Sequence, residues 1–220
     1  MEKFLEMPVA KVPVSKSLRE KDKMEDCSEY IEKCCKRVGE TEYFKSRGLS
    51  KETIEKFWMG YDSEKKLVTI PYNPGSKGYI HRILFDGNSK YVKHGVNEIF
   101  NVKALYCHEI VFVTEGQFDA MSFEEIRYPA IGIGGTNEVG KLVELLKKPE
   151  IVTKKLIIAL DNDAAGVKAT ARFLDAIADV KCEYLIWNGL YGKYKDANEF
   201  LINDREKFVM RCCELYEKCK

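Results

Sequence analysis

IVFVTEGQFD at residues 110–119 and LIIALDNDAAG at residues 156–166 share one pattern. Each segment opens with a short, continuous run of apolar residues and then changes abruptly to acidic residues and glycine. Such a run is typical of a strand that is buried on both faces, as the strands of parallel sheets are. The pattern therefore predicts two parallel strands, each followed by a polar loop.

The segments around these two strands extend the same alternation. We predict strands at 110–114, 130–133, 156–160 and 183–187, separated by helices at about 118–127, 138–148 and 164–178. The last helix is expected to bury Val167, Ala171, Leu174 and Ile177 along one face. Strands that alternate with amphipathic helices indicate an α/β fold, with a mainly parallel sheet flanked by helices.

The residues upstream predict a smaller lobe of different construction. Residues 26–60 have helical spacing, and Ser50 opens a helix that is expected to bury Phe57 and Trp58. The β-branched and aromatic runs at 67–72 and 79–85 predict a strand, a turn and a strand, with a further strand at 90–92. We therefore expect a leader at 1–25, an N-terminal α/β lobe at 26–103, the parallel-sheet domain at 104–200 and a C-terminal helix at 201–220.

Composition narrows the class of protein. Apolar residues make up 45% of the 220 residues and charged residues 32%, which is ordinary for a globular protein and excludes a fibre or a disordered chain. No run approaches the roughly 20 apolar residues that a membrane helix needs, and the charged N-terminus is unlike an export signal. We therefore expect a cytoplasmic protein with no membrane partner.

Charge is unevenly distributed, although the formal net charge is only +1. Residues 65–103 net +5, and residues 104–163 net −4. A basic lobe beside an acidic one can bind a polyanion on one side and cations on the other. Chance unevenness on two solvated surfaces is the alternative interpretation.

The eight cysteines do not have the spacing of a zinc site. None of them forms a Cys-x-x-Cys pair, and of the three histidines only His108 adjoins a cysteine, Cys107. We therefore expect no zinc site in this chain. In a reducing cytoplasm the thiols stay reduced, and several are expected to act as small apolar core residues.

The ends of the predicted strands collect acidic residues and glycines. Glu115 follows the first strand, and Asp161 and Asp163 follow the third. Because the carboxyl ends of parallel strands meet at one edge of a sheet, these acids are expected to lie close together and to need a hard divalent cation. The glycines expected to allow close backbone approach are Gly116, Gly134, Gly135 and Gly166. The alternative is that Asp161 or Asp163 only caps the next helix.

Two of these motifs resemble those of the Toprim domain, which is shared by bacterial-type primases, topoisomerases, recombination-mediator proteins and small nucleases. They are Glu-Gly-x-x-Asp at 115–119 and Asp-x-Asp-x-x-Gly at 161–166. The resemblance covers about residues 109–200. LDNDAAG is similar to the primase form, and KDANE at 195–199 is similar to a segment of phage primase–helicases. This likeness implies that Asp196 is a third acidic position. Asn198 stands where some relatives have a second Asp, so the sequence does not decide whether one of the metal sites is present.

The upstream residues resemble the start of the bacterial primase polymerase core. The similarity lies in YFKSRGLS at 43–50, Gly60-Tyr61, KYV at 90–92 and EIFN at 98–101. The family places basic residues here to hold template and nucleotide, which implies that role for Arg82, Lys90, Lys93 and Lys103. A solvated basic hairpin is the alternative.

The resemblance implies a DNA primase core, of phage or mobile-element origin, that makes short RNA primers from nucleoside triphosphates on single-stranded DNA. It implies that Mg²⁺, with Mn²⁺ able to substitute, is held by Asp161, Asp163 and Asp196. Glu115 would be a further ligand or would transfer protons, while Asp119 and Asn198 would support the site. A zinc ribbon usually precedes such cores and none is present here, so a separate zinc-binding module is an expected partner, as is a replicative helicase.

Two other functions stay open on the sequence. A Toprim nuclease would cut RNA or DNA with the same acids, without nucleotides and without a basic template lobe. A degenerate Toprim module would only bind DNA or a helicase, which the intact Glu115, Asp161 and Asp163 argue against. A topoisomerase needs a further large domain, for which the chain has little room.

Overall fold

The fold combines an antiparallel sheet in the N-terminal part of the chain with a parallel sheet in the C-terminal part, and helices connect and flank the strands. The computed structural model describes residues 26–84, 91–135, 138–178, 180, 182–187 and 191–220. The predicted leader at 1–25 lies outside these residues, as does Lys90. The strands are β1 Gly60–Asp62, β2 Leu67–Pro71, β3 Tyr79–Ile83, β4 Tyr91–His94, β5 Ile110–Thr114, β6 Ala130–Gly132, β7 Lys155–Ile158 and β8 Glu183–Ile186. The helices are α1 Ser28–Cys35, α2 Tyr43–Ser46, α3 Lys51–Lys56, α4 Lys103–Cys107, α5 Gln117–Glu125, α6 Val139–Leu146, α7 Ala164–Ile177, α8 Ala197–Asn203 and α9 Arg205–Cys219.

The N-terminal lobe is built on an antiparallel sheet with the strand order β1-β2-β3-β4. The predicted strand–turn–strand is confirmed, because β2 pairs with β3 antiparallel with Thr69 opposite His81. β4 pairs with β3 at Arg82 opposite Tyr91 and carries basic side chains on an outer edge of the lobe. The short strand β1 was not predicted from the sequence.

The parallel sheet has the strand order β6-β5-β7-β8, and each neighbouring pair is parallel. The predicted mainly parallel sheet is therefore confirmed. β5 and β7 are central neighbours, so the loops that follow them start side by side at the carboxyl edge. An antiparallel bridge between Phe100 and Gly132 attaches the end of the N-terminal lobe beside β6.

Burial on both sheet faces explains the continuous apolar runs. In β5, Phe112 packs in one core cluster while Val111 and Val113 pack in another, and all three are fully buried. The first cluster also contains Ile70 and Ile80 of the antiparallel sheet. The first cluster therefore extends through both lobes, whereas the second packs against the other face of the parallel sheet.

The predictions about buried faces are wrong in part of α7 and at Trp58. Helix α7 buries Ala169, Phe173 and Ile177, whereas Val167 is 66% exposed and Ala171 is exposed as well. A Cβ at Gly166 would lie 1.9 Å from the carbonyl oxygen of Asp161, so the glycine is pressed against the preceding loop and sets the rotation of the helix. Trp58 is 42% exposed, because α3 ends at Lys56 and the chain turns away before this residue.

The C-terminal segment is helical, as predicted, but it is divided into α8 and α9. Asp204 separates them and accepts a hydrogen bond from Lys207 N through its side chain. Buried Cys34 and Cys212 confirm that thiols serve as small core residues. Among the helices in the described part of the chain, none has the length and apolar content needed to cross a membrane.

Candidate active site

Three strand ends build one site at the carboxyl edge of the parallel sheet. β5 leads to Glu115, β6 leads to Gly134 and Gly135, and β7 leads through two buried residues to Asp161. The order β6-β5-β7 brings these loops together. This edge is where ligands bind in open α/β sheets.

A cavity of about 310 Å³ lies between this edge and the N-terminal lobe. The parallel-sheet domain contributes four acids to the lining, Glu115, Asp119, Asp161 and Asp196, which we call the acidic wall. The N-terminal lobe contributes Arg47, Tyr91 and Lys93, which we call the basic and aromatic wall. The cavity therefore combines groups that can bind cations with groups that can bind an anionic, planar ligand.

Crowding of the acids disfavours their charged forms. Burial, followed by the charges of Asp161 and Asp163, raises the pKa of Glu115 above its ordinary value. Burial is also the main cause of the raised pKa of Asp161. Burial and then the charges of Asp196 and Asp161 raise the pKa of Asp119 to about 8. Each shift disfavours the charged form of the carboxyl, so a cation placed nearby would favour ionisation.

Lys195 supplies positive charge to the acids. Its Nζ lies 3.3 Å from Asp161 Oδ2 and 3.5 Å from Asp163 Oδ2. The charge and the hydrogen bond of Asp161 raise the pKa of Lys195, so the ammonium stays protonated. The two carboxylates are therefore joined through a shared cation.

Asp163 and Asp196 each cap a helix. The predicted capping by Asp163 is therefore observed, and it leaves one carboxylate oxygen available for other contacts. Asp163 Oδ1 accepts the N–H of Gly166 at 2.8 Å, at the start of α7. Asp196 Oδ1 accepts the N–H of Glu199 at 2.7 Å, at the start of α8. Each cap uses Oδ1, and the second oxygen of Asp163 faces Lys195.

Asn198 is fully buried on α8. Its N–H donates to Asp119 Oδ1 at 3.2 Å. Its Nδ2 donates to the carbonyl oxygen of Arg47 at 2.9 Å and to Ser122 Oγ at 2.8 Å. Asn198 therefore joins α8 to α5 and to the residue that follows α2.

The predicted basic residues do not all reach the cavity. The Arg82 guanidinium lies over the rings of Tyr43 and Tyr91, 5.2 and 5.1 Å from their centroids. Lys93 lines the cavity and donates to the Gly134 carbonyl oxygen at 3.0 Å. Lys103 lies on α4 and does not line the cavity.

The glycines are placed where backbone or carboxylate comes close. A Cβ at Gly116 would lie 2.6 Å from Asp119 Oδ2. Gly134 and Gly135 line the cavity with φ angles of 72° and 122°. The predicted close approach at Gly166 is the contact with Asp161 described above.

The donors are of the kind that a hard divalent cation prefers. Carboxylate oxygens of Glu115, Asp161 and Asp196 line the cavity, and a cation, the Lys195 ammonium, lies against Asp161. Within the described ranges, no three His, Cys, Asp or Glu side chains are arranged to hold an ion.

Sequence reasoning missed six residues that line the cavity, namely Arg47, Ile80, Tyr91, Gln117, Phe118 and Lys195. Lys195 stands inside the KDANE segment, next to a predicted acid, so a cation beside an acidic motif was the available signal. Arg47 precedes Asp161 by more than 100 residues, and only the tertiary fold brings it to the cavity.

Comparison with known proteins agrees with this geometry. Residues 112–201 match a family described as Toprim-like. The chain is 25% identical over 228 residues to the DNA primase of Thermotoga maritima, in an alignment that covers 80% of the chain. The chain spans 40% of the length of that primase.

Solved primase structures have the same fold. The primase fragment of the bacteriophage T7 primase-helicase protein matches 76% of this chain and 71% of its own, with a TM-score of 0.62 and 21% identity. The Aquifex aeolicus primase, with its zinc-binding and RNA polymerase domains, matches 88% of this chain and 60% of its own, with a TM-score of 0.67 and 20% identity. Residues 112–201 therefore match a Toprim-like family, in a chain that is similar to a bacterial DNA primase over 80% of its length.

Proposed function

We propose that this chain is the catalytic core of a DNA primase, which makes short RNA primers from nucleoside triphosphates on single-stranded DNA. One observation carries the proposal. One cavity is lined both by the acidic wall, with Glu115, Asp161 and Asp196, and by the basic and aromatic wall, with Arg47 and Lys93. A nuclease needs the acidic wall alone, whereas a template-directed polymerase must also hold a nucleic-acid strand.

We assign the acidic wall to the metal and to the triphosphate. Asp161, Asp163 and Asp196 would hold Mg²⁺, with Mn²⁺ able to replace it. A divalent ion there would neutralise charge on the triphosphate and on the leaving pyrophosphate. Because Asp163 and Asp196 each also cap a helix, α7 and α8 hold these carboxylates in place. We place Glu115 as a further ligand or a proton acceptor.

We assign the opposite wall to the template and the nucleotide. Arg82 and Tyr91 stack on each other at the edge of β4, and an arginine with an aromatic ring is a sequence-tolerant surface for bases. Lys93 extends the positive charge toward Gly134. Phosphate contacts of this kind make DNA binding fall as salt rises. We also propose Lys90 and Lys103 as contacts for template or nucleotide. Lys103 does not line the cavity.

The test is primer synthesis by the purified chain on single-stranded DNA with labelled ribonucleotides and Mg²⁺ or Mn²⁺. We expect short oligomers from the wild type and at least a 100-fold loss in Glu115→Gln and Asp161→Asn. Matched controls are Glu144→Gln and Asp175→Asn, which change exposed acids on α6 and α7 outside the cavity and should leave synthesis intact.

Two results would contradict the proposal. Cleavage of DNA or RNA without nucleotides, lost in the same two variants, would establish a nuclease instead. DNA binding that survives both variants, with no product even after a zinc-binding module is added in trans, would indicate a binding module. A helicase partner is proposed only by analogy with the T7 primase-helicase and needs a separate binding assay.

A further inference from the structure

Lys195 lines the cavity and carries a charge, but the proposed reaction assigns it no role. Its ammonium lies 3.3 Å from Asp161 Oδ2 and 3.5 Å from Asp163 Oδ2, between the two carboxylates assigned to the metal. The Asp161 side chain is only 19% exposed and the Asp163 side chain 40%. An ion pair at this depth is less weakened by solvent than a pair on the open surface.

The backbone around Lys195 is held on both sides. Its N–H donates to Glu199 Oε2 at 2.7 Å, and its carbonyl oxygen accepts the N–H of Asn162 at 2.7 Å. The Asn162 side chain also donates to the carbonyl oxygens of Gly192 and Tyr194, at 3.0 and 3.3 Å. The loop that carries Lys195 is thus fastened to the loop between Asp161 and Asp163, so the fold places the Lys195 backbone beside the two acids.

The side chain itself is free to leave. It is 55% exposed, and a lysine side chain is a flexible four-carbon stem. A divalent ion that takes oxygens from Asp161 and Asp163 cannot share this place with an ammonium, since like charges repel. A fixed backbone keeps the lysine close to the acids, and a mobile side chain lets its charge move away. A counter-ion that a metal ion can displace needs both properties.

We propose that Lys195 is a built-in counter-ion that occupies the Asp161–Asp163 pair in the metal-free chain and competes with the divalent ion for it. The inference rests on the proposed function, since it takes the ion site to be the one assigned above. The ammonium keeps the acidic wall charged and folded before the ion arrives. It also lowers the affinity for the ion, because the ion must displace it.

The experiment is calorimetric titration of the nucleotide-free, DNA-free chain with Mn²⁺ alone, at fixed ionic strength and pH. We expect Lys195→Met to bind Mn²⁺ about three- to tenfold more tightly than the wild type, the range that two partly exposed ion pairs supply. Lys195→Arg keeps the charge and should bind like the wild type. The gain should disappear in the double variant Lys195→Met, Asp161→Asn.

Lys193→Met is the matched control. Lys193 lies two residues away, and its Nζ is 5.2 Å from the centroid of the Tyr194 ring rather than at an acid. This variant removes the same charge from the same loop and should leave Mn²⁺ affinity within about twofold of the wild type. A second measurement is thermal unfolding in EDTA, where Lys195→Met should unfold at a lower temperature than Lys193→Met and should gain more from added Mn²⁺.

Three outcomes would overturn the inference, and they separate it from the proposed function. Equal affinities in the wild type and Lys195→Met would mean that Lys195 does not compete. Weaker binding in Lys195→Met would mean that Lys195 supports the ion. Absence of Mn²⁺ binding in every variant and in the wild type would remove the ion site itself, and with it the metal chemistry of the proposed primase.

Discussion

Asp119 is a single residue at the site that is expected to lower the free energy of unfolding. Its carboxyl is partly buried beside Gly116 and accepts the N–H of Asn198. Burial and the neighbouring acids raise its pKa to about 8. A group that is protonated in the folded chain but ionised in the unfolded chain favours unfolding as pH rises.

We therefore expect Asp119→Asn to stabilise the metal-free chain in a pH-dependent way. The unfolded carboxyl ionises near its ordinary pKa of 3.8, whereas the folded carboxyl ionises near 8. Wild-type stability should fall relative to the variant between these values and run parallel to it above pH 8. The asparagine still accepts the Asn198 N–H, so no hydrogen bond is lost.

The measurement is thermal unfolding in EDTA at pH 5, 7 and 8.5. The Tm of Asp119→Asn should exceed that of the wild type by several degrees at pH 8.5 and by much less at pH 5, since about 1 kcal/mol shifts Tm by roughly 2–4 °C in a chain of this size. Asp175→Asn, on the exposed face of α7, should show no such trend. A constant difference at all three pH values would contradict the raised pKa.

At the scale of elements, helix α8 owes its position to a residue that is also assigned to the metal. Asp196 begins the helix by accepting the Glu199 N–H, and the buried residues Ala197, Asn198 and Phe200 follow at once. The capping function and the metal function can be separated, because asparagine caps as well as aspartate but carries no charge.

We expect Asp196→Asn to keep its stability within a few tenths of a kcal/mol and to lose primer synthesis. Asp196→Ala should lose synthesis and, in addition, about 1 kcal/mol of unfolding free energy. Urea unfolding and the synthesis assay distinguish the two effects. Asp204→Ala removes the cap of α9 away from the cavity, so it should lose stability alone. Full synthesis in Asp196→Asn would reduce Asp196 to a cap.

At the scale of the whole molecule, Glu125 joins the two lobes and the C-terminal helix. Its Oε2 accepts hydrogen bonds from the Ser50 N–H at 2.9 Å, from Ser50 Oγ at 2.8 Å and from Thr53 Oγ1 at 2.5 Å. Its Oε1 pairs with Arg205 of α9. The side chain is only 6% exposed, so its donors would be left without a partner if the carboxylate were removed.

We expect Glu125→Ala to lower the free energy of unfolding by about 2–4 kcal/mol, because the Ser50 and Thr53 donors and the half-exposed Arg205 guanidinium lose their acceptor. Urea unfolding should still show one transition, since Ile70 of the N-terminal lobe and Phe112 of the parallel sheet belong to one core cluster. Glu55→Ala, which breaks an exposed pair with Lys51, should cost less than about 0.5 kcal/mol. Two separate transitions would mean that the lobes unfold independently.

The order of elements and the chemistry of the strand ends were predictable from local pattern. Apolar runs such as 110–114 are continuous because both faces of the sheet are covered, and the acids follow directly where the strands end. Periodicity is a weaker guide where packing sets the rotation of a helix, which is why Val167 was expected to be buried and is exposed. The break at Asp204 likewise interrupts an otherwise helical pattern.

The contents of the cavity depend on contacts between residues that are distant in the chain. Arg47 reaches it because Asn198 Nδ2 binds the Arg47 carbonyl oxygen across 151 positions. Lys195 reaches the acids because Asn162 fastens the two loops. Residue type and strand order therefore follow from local sequence, since they depend on propensity and solvation near each residue. Which cation lies at which carboxylate follows only from long-range packing, since no local pattern specifies the distance between two loops.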